Sequence, residues 1–178
     1  MYFWHFDTFD MFRNELSCNM DVKNVNVKSL ALGGMIAALY SGVTIALAPI
    51  SYGPVQLRVA EALTLLPFYI PAAIPGLFAG AMIANFFSPY GLWDIVIGSL
   101  ASLTAACLTR LMPNLWFAAL PPILVNAVAI GTMLYFLADI PVPVWLIILY
   151  VGAGQAIACI ALGMPLMKAL EKTGLIKR

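Results

Sequence analysis

Arg58 and Glu61 lie one helical turn apart in the stretch SYGPVQLRVAEALTLLPFY, residues 51–69, of a chain that has few charges. A carboxylate accepts hydrogen bonds and a guanidinium donates them, so these two groups can bind a polar solute. They can also pair only with each other, which stabilises a helix by about 0.2–0.5 kcal/mol. The stretch therefore offers two alternatives, a solute site or a local ion pair.

Other polar side chains recur along the apolar part of the chain. Asp94 can cap a helix or contact a ligand, and Asn126 and Gln155 can bind a solute or join packed helices. Asp139 precedes IPVP and is expected to be solvated. An ionisable residue at the bilayer centre costs about 2.5–3.5 kcal/mol, so such groups usually face an interior cavity. We therefore expect polar side chains from several helices to converge on an outward-facing pocket.

The composition indicates an all-α integral membrane protein. Of the 178 residues, 63% are hydrophobic and 10% are charged, whereas a typical soluble domain has about 25% charged residues. Continuous apolar runs fit helices rather than the alternating strands of a barrel. The net charge of +1 gives no indication of a basic surface that binds nucleic acid. Cys18, Cys107 and Cys159 lack metal or disulfide spacing, and the last two are expected to be small core residues.

The apolar runs predict six membrane spans. A helix that crosses a bilayer needs about 20 residues. Four runs approach or exceed this length, and a proline-containing segment between the first two is predicted to form a hairpin. The six predicted spans are residues 29–48, 60–70, 72–88, 92–110, 115–137 and 143–167.

The hairpin decides the predicted topology. If residues 60–88 crossed the membrane once, one of the two basic ends of the chain would lie outside, against the positive-inside rule. The hairpin instead puts both termini in the cytoplasm. Residues 60–70 would measure only about 16 Å as an α-helix. We therefore expect this span to be short, tilted or sheltered by its neighbours, in keeping with its prolines.

Three regions follow from this topology. Residues 1–28 are predicted to be a cytoplasmic tail, since they carry acidic residues and lack the basic head of a secretory signal. Met11 and Met20 offer later start codons within it. Residues 29–170 are predicted to form the transmembrane domain, and residues 171–178 a basic cytoplasmic C-terminus.

Missing motifs narrow the function. The sequence contains no GxxxxGK[ST], HExxH or GxSxG pattern, so ATP hydrolysis and the usual zinc or serine hydrolase chemistry are unsupported. No inverted repeat is evident, which weakens the case for a self-sufficient secondary transporter. We expect a binding bundle that is not an enzyme. A self-contained secondary transporter or channel stays the main alternative, and a membrane-embedded enzyme the weaker one.

The run YGPVQLRVAEALTLLPFY, followed by PAAIPGLFAGAMIANFFSPYGLWDIVIGSLASLTAA, resembles the QueT family of queuosine-precursor transporters. The resemblance covers about residues 25–170 and rests on QLRVAEALT, IPGLFAG, IAN and GLWDIVIGS in that order. It implies the substrate-binding (S) component of an energy-coupling factor (ECF) importer, a six-helix bundle in the plasma membrane. Such a component works with a transmembrane coupling subunit and two cytoplasmic ATPases.

The resemblance also implies a docking face on the first helix. S components of this type present small residues in an AxxxA-like pattern to the coupling subunit. The matching positions here are Gly33, Gly34, Ala37 and Ala38, with glycine in place of the first alanine. Small residues at this spacing also permit internal helix packing, so both uses of the face stay open.

The ligand that the resemblance implies is a 7-deazaguanine: 7-aminomethyl-7-deazaguanine, 7-cyano-7-deazaguanine or queuine. The sequence does not choose among them. Glu61 would accept hydrogen bonds from the two adjacent donors of the guanine edge, and Asp94 would meet a ligand amine. The remaining predicted contacts are Arg58, Gln56 and Asn85 for O6, Asn126 and Gln155 for other ring atoms, and Trp93, Tyr52 and Tyr150 for stacking.

Overall fold

In a computed structural model of the protein, residues 27–52, 57–138 and 141–176 are described, and these ranges are helical without any strand. Helices are expected here because a membrane leaves no water to bond exposed backbone groups. The α-helices are α1 (Val27–Ala46), α2 (Ala48–Ser51), α3 (Ala73–Phe86), α4 (Ser99–Leu111), α5 (Leu115–Ala118), α6 (Leu120–Leu137), α7 (Val144–Ala156) and α8 (Met164–Lys172). A 3₁₀ helix (Val59–Phe68) precedes α3, a first π segment (Asp94–Gly98) precedes α4, and a second π segment (Ile157–Gly163) joins α7 to α8.

Four continuous helical stretches are long and apolar enough to cross a membrane. They confirm the four long spans that the sequence predicts. Two shorter apolar helices, Val59–Phe68 and Ala73–Phe86, occupy the segment predicted to form the hairpin. The count of six spans and the cytoplasmic position of both termini stay predictions. The four long stretches are Val27–Ala46, Asp94–Leu111, Leu115–Leu137 and Val144–Lys172.

The second predicted span, residues 60–70, corresponds to the 3₁₀ helix, which is longer than an α-helix of the same number of residues. At about 2.0 Å per residue, ten residues span roughly 20 Å, against roughly 15 Å for an α-helix. Eight of its ten residues are buried, which confirms that this segment is sheltered by its neighbours. A 3₁₀ run longer than about four residues is uncommon.

Glycines bring α1 and α3 into close backbone contact. A Cβ atom on Gly76 would lie 2.6 Å from the carbonyl oxygen of Gly33, and one on Gly80 would lie 2.9 Å from that of Ala37. Gly33 and Ala37 are buried in this contact. The prediction that four small residues share a docking face is therefore corrected for Gly33 and Ala37, because α3 already covers them.

The rest of the core surrounds the 3₁₀ helix. A Cβ atom on Gly163 would lie 3.0 Å from the carbonyl oxygen of Ala62, so the second π segment also packs closely against this helix. Cys159, in that segment, is fully buried, as predicted for a core cysteine, whereas Cys107 is partly exposed. Tight packing on several sides fixes the residues that the 3₁₀ helix carries.

Candidate functional site

Arg58 precedes the 3₁₀ helix and joins three separate elements. Its Nη2 atom lies 3.1 Å from Asp94 Oδ2, and its Nη1 atom donates to Asn85 Oδ1 at 2.9 Å. Asn85 Nδ2 donates in turn to the Asp94 backbone carbonyl at 2.9 Å. The start of the 3₁₀ helix, the end of α3 and the start of the first π segment are thus held together.

Tyr52 completes this arrangement. The Arg58 Cζ atom lies 5.4 Å from the centre of the Tyr52 ring, within the range of a cation–π contact. The Tyr52 hydroxyl donates to the backbone carbonyl of Ala84. We call Tyr52, Arg58, Asn85 and Asp94 the arginine cluster. Gly98 makes room for it, since any Cβ at that position would collide with the Asn85 amide.

The partner of Arg58 corrects two predictions. Arg58 pairs with Asp94, 36 positions away in sequence, so the interpretation of Arg58 and Glu61 as a local ion pair is wrong. Asp94 does not cap the fourth span either, because helical structure already begins at residue 92 and the Asp94 carboxylate accepts from Arg58. The resulting ion pair is buried, with Arg58 only 3% and Asp94 0% exposed.

Glu61 belongs to a second cluster of buried polar side chains. Tyr40 of α1 donates its hydroxyl to Glu61 Oε1 at 2.6 Å. Asn126 of α6 directs its Nδ2 atom at Glu61 Oε2 and at Gln155 Oε1 of α7, each at 3.4 Å. We call Tyr40, Glu61, Asn126 and Gln155 the glutamate cluster. Each member is at most 3% exposed.

The two contacts of the Asn126 amide are long. Hydrogen bonds from N–H to oxygen are most often about 2.9–3.0 Å, so the 3.4 Å distances from Asn126 indicate weakly held partners. The 2.6 Å bond between Tyr40 and Glu61 is short by comparison. One oxygen of the Glu61 carboxylate is thus held closely by a hydroxyl, and the other has a more distant amide partner.

Irregular helix geometry occurs beside both clusters. Glu61 lies within the 3₁₀ helix, Asp94 begins the first π segment, and Gln155 lies two residues before the second. Single π turns inside helices are frequently found at functional sites. The backbone therefore departs from α-helical geometry at Glu61 and Asp94 and within two residues of Gln155.

Buried polar atoms without partners also occur. In the part of the chain that the structure describes, Arg58 Nε, Ser51 Oγ and Ser99 Oγ are buried and make no hydrogen bond. An unsatisfied buried donor or acceptor costs about 1–3 kcal/mol, so each such atom requires an explanation. For Arg58 Nε, in the arginine cluster, a ligand acceptor is one such explanation.

The structure does not bring all the predicted site residues together. Trp93 is 61% and Tyr150 47% exposed on the exterior of the bundle, which does not support a stacking role at the buried clusters. Trp93 instead lines an apolar groove of about 530 Å³ with residues of α6. Gln56 and Asp139 lie outside the described residues, as does the tail over residues 1–26.

Tyr40 is the site residue that the sequence analysis missed. It is fully buried in a helix with few polar side chains. A buried tyrosine hydroxyl usually finds a hydrogen-bond partner, and this signal could have pointed to Tyr40. The ranges described contain no group of three His, Cys, Asp or Glu residues that could hold a metal ion.

The chain is similar in sequence to known transporters. A family model described as QueT transporter matches residues 30–172. The queuosine precursor transporter QueT of Lactococcus lactis subsp. cremoris (strain MG1363) is 36% identical over 83 residues, which is 46% of this chain and 47% of that relative. This match spans about half the length of the relative, and no solved structure matches the chain significantly. The family match over most of the chain and the apolar helices show that this multi-pass membrane protein belongs to the QueT transporter family.

Proposed function

We propose that this protein is the S component of an ECF importer and captures a queuosine precursor from outside the cell. The glutamate cluster carries the proposal, because it joins four polar side chains from four elements of an apolar bundle: Tyr40 and Asn126 bond to Glu61, and Asn126 also bonds to Gln155. Burying such groups costs free energy, and well-packed apolar residues often stabilise a protein equally well. A polar cluster that is costly for stability alone is therefore best explained by ligand binding.

The chemistry of the glutamate cluster suits a guanine-like ring. Such a ring presents N1–H and an exocyclic amine as adjacent donors, and the two oxygens of the Glu61 carboxylate accept one each, using lone pairs that the Tyr40 bond does not occupy. Asn126 and Gln155 give up their 3.4 Å contacts in exchange for shorter bonds to ring atoms. Arg58 Nε, which has no partner among the described residues, donates to O6.

The arginine cluster has a positioning role in this proposal. Asp94 forms an ion pair with Arg58 at 3.1 Å. Asp94 therefore holds the guanidinium, in place of its predicted role as a contact for a ligand amine. Asn85 contacts both partners. Together these residues hold the start of the 3₁₀ helix, and hence Glu61, in a fixed position.

Exposed small residues on α1 suit the proposed assembly with a coupling subunit. Gly34 and Ala38 remain exposed after α3 covers their neighbours, and Gly42 continues the same stripe one turn further on. A Cβ atom on Gly34 or Gly42 would meet nothing within 4 Å. Two ATPase subunits would supply the energy, since this sequence has no phosphate-binding loop.

Isothermal titration calorimetry on the purified chain tests the capture role. We expect tight binding of one deazaguanine per chain, with guanine at least tenfold weaker. Failure of a well-folded sample to bind queuine or the 7-aminomethyl and 7-cyano deazaguanines would contradict the proposal. Flux into vesicles that contain this chain alone would instead support a self-contained secondary transporter or channel.

A further inference from the structure

Three charged side chains are buried in the described part of the chain: Arg58, Glu61 and Asp94. Two are carboxylates and one is a guanidinium. Arg58 forms its ion pair with Asp94 at 3.1 Å. The two clusters together therefore carry one more negative than positive formal charge, and Glu61 is the carboxylate without an ion-pair partner.

The groups that contact Glu61 are neutral. Its Oε1 atom accepts from the Tyr40 hydroxyl and its Oε2 atom from the Asn126 amide. Arg58 forms its ion pair with Asp94, and one guanidinium does not neutralise two carboxylates. A buried charge that is hydrogen-bonded but not paired is costly. A cationic ligand would relieve this cost, whereas a neutral ligand would not.

We propose that the site selects a cationic ligand, specifically a 7-deazaguanine-type heterocycle that carries a protonated alkyl amine. This inference rests on the proposed function and narrows its substrate class. An alkyl amine resembles the lysine side chain, whose pKa is about 10.4, and is charged at neutral pH. The charge acts on Glu61 whether the amine touches the carboxylate or lies across the ring, because Coulomb attraction in an apolar interior extends over several ångströms.

Two ligands isolate the effect of charge. The 7-aminomethyl and 7-cyano deazaguanines share one ring, and their substituents each contain one carbon and one nitrogen. They differ chiefly in that the aminomethyl group is protonated at pH 7 and the cyano group is neutral. The ratio of their dissociation constants therefore measures the preference of the site for a cation.

The experiment is a calorimetric titration of both ligands into the full chain in detergent at pH 7. We expect the amine to bind roughly 30-fold or more tightly than the nitrile, which is the effect of one charge pair at intermediate range. In Glu61→Gln, which keeps the shape and removes the charge, we expect this ratio to fall below about threefold. Glu171→Gln is the matched control, since Glu171 is exposed on α8, and should keep the wild-type ratio.

The outcomes separate this inference from the proposed function. Equal binding of the two ligands, or tighter binding of the nitrile, would overturn the inference and leave the capture role intact. A preference for the amine that survives in Glu61→Gln would overturn the assignment to Glu61. Failure of folded wild-type protein to bind either ligand would overturn both. If Glu61→Gln does not fold, the wild-type ratio still decides whether the site prefers a cation.

Discussion

At the scale of single residues, Glu61 and Arg58 are close in sequence yet belong to different hydrogen-bond clusters. Arg58 reaches Asp94 and Asn85, and Glu61 reaches Tyr40 and Asn126. The high cost of burying polar groups made most of these residues predictable as a set. Which of these residues bond to each other was not predictable, because that depends on how the helices pack. Tyr40 was not predicted as a site residue, because it is uncharged.

Tyr40→Phe tests whether the hydroxyl fixes the Glu61 carboxylate. The change removes a 2.6 Å hydrogen bond to a charged group, and bonds of this kind contribute about 1.5–3 kcal/mol. We expect ligand affinity to fall about tenfold or more while the preference for an amine over a nitrile persists, because Glu61 keeps its charge. Unchanged affinity, measured by calorimetry, would show that the hydroxyl does not position the carboxylate.

Asp94→Asn tests the arginine cluster. Removing one partner of a buried ion pair leaves the other charge uncompensated, which typically costs about 3–5 kcal/mol. We expect a clearly lower melting temperature in detergent than for wild type. Glu171→Gln, at an exposed position, should melt as wild type does, and equal melting of both variants would contradict the structural role of the pair.

At the scale of elements, the fold depends on two close contacts of the short apolar helices. The 3₁₀ helix lies against the second π segment, and α3 lies against α1 through glycines. The four long spans were predictable from hydropathy, since each needs only enough apolar residues to cross the membrane. The 3₁₀ and π geometry was not, because neighbouring elements impose it and local sequence periodicity does not report it.

Gly76→Ala tests the contact between α1 and α3. The new Cβ would lie 2.6 Å from a backbone oxygen of Gly33, so the helices must separate, at a cost of about 1–3 kcal/mol. We expect a lower melting temperature. Gly34→Ala is the control, since nothing lies within 4 Å of a Cβ at that position, and it should melt at or slightly above the wild-type temperature. The same melting temperature for both variants would show that α1 and α3 are not in close contact.

At the scale of the whole molecule, α1 has one face packed against the bundle and one exposed face. Gly33 and Ala37 pack inward, whereas Gly34 and Ala38 face outward. Sequence spacing alone could not divide these four residues, because both pairs share the same interval. The proposal that the outer pair docks a coupling subunit predicts that binding and transport can be separated by mutation.

Ala38→Leu tests this separation. A bulky side chain on the outward stripe should block close approach of a partner helix without reaching the buried glutamate cluster. We expect ligand affinity within about twofold of wild type and uptake reduced at least tenfold in cells that contain the other subunits. Ala153→Leu, at an exposed position on α7, is the control and should support normal uptake. Equal uptake by both variants would contradict docking through this face.

The most direct test of the account is the affinity of Glu61→Ala for the deazaguanine that wild type binds, measured by calorimetry with Glu171→Ala in parallel. The account predicts no detectable binding by Glu61→Ala and wild-type binding by Glu171→Ala, with both proteins folded in detergent. Wild-type affinity in a folded Glu61→Ala sample would show that the solute does not bind at the glutamate cluster.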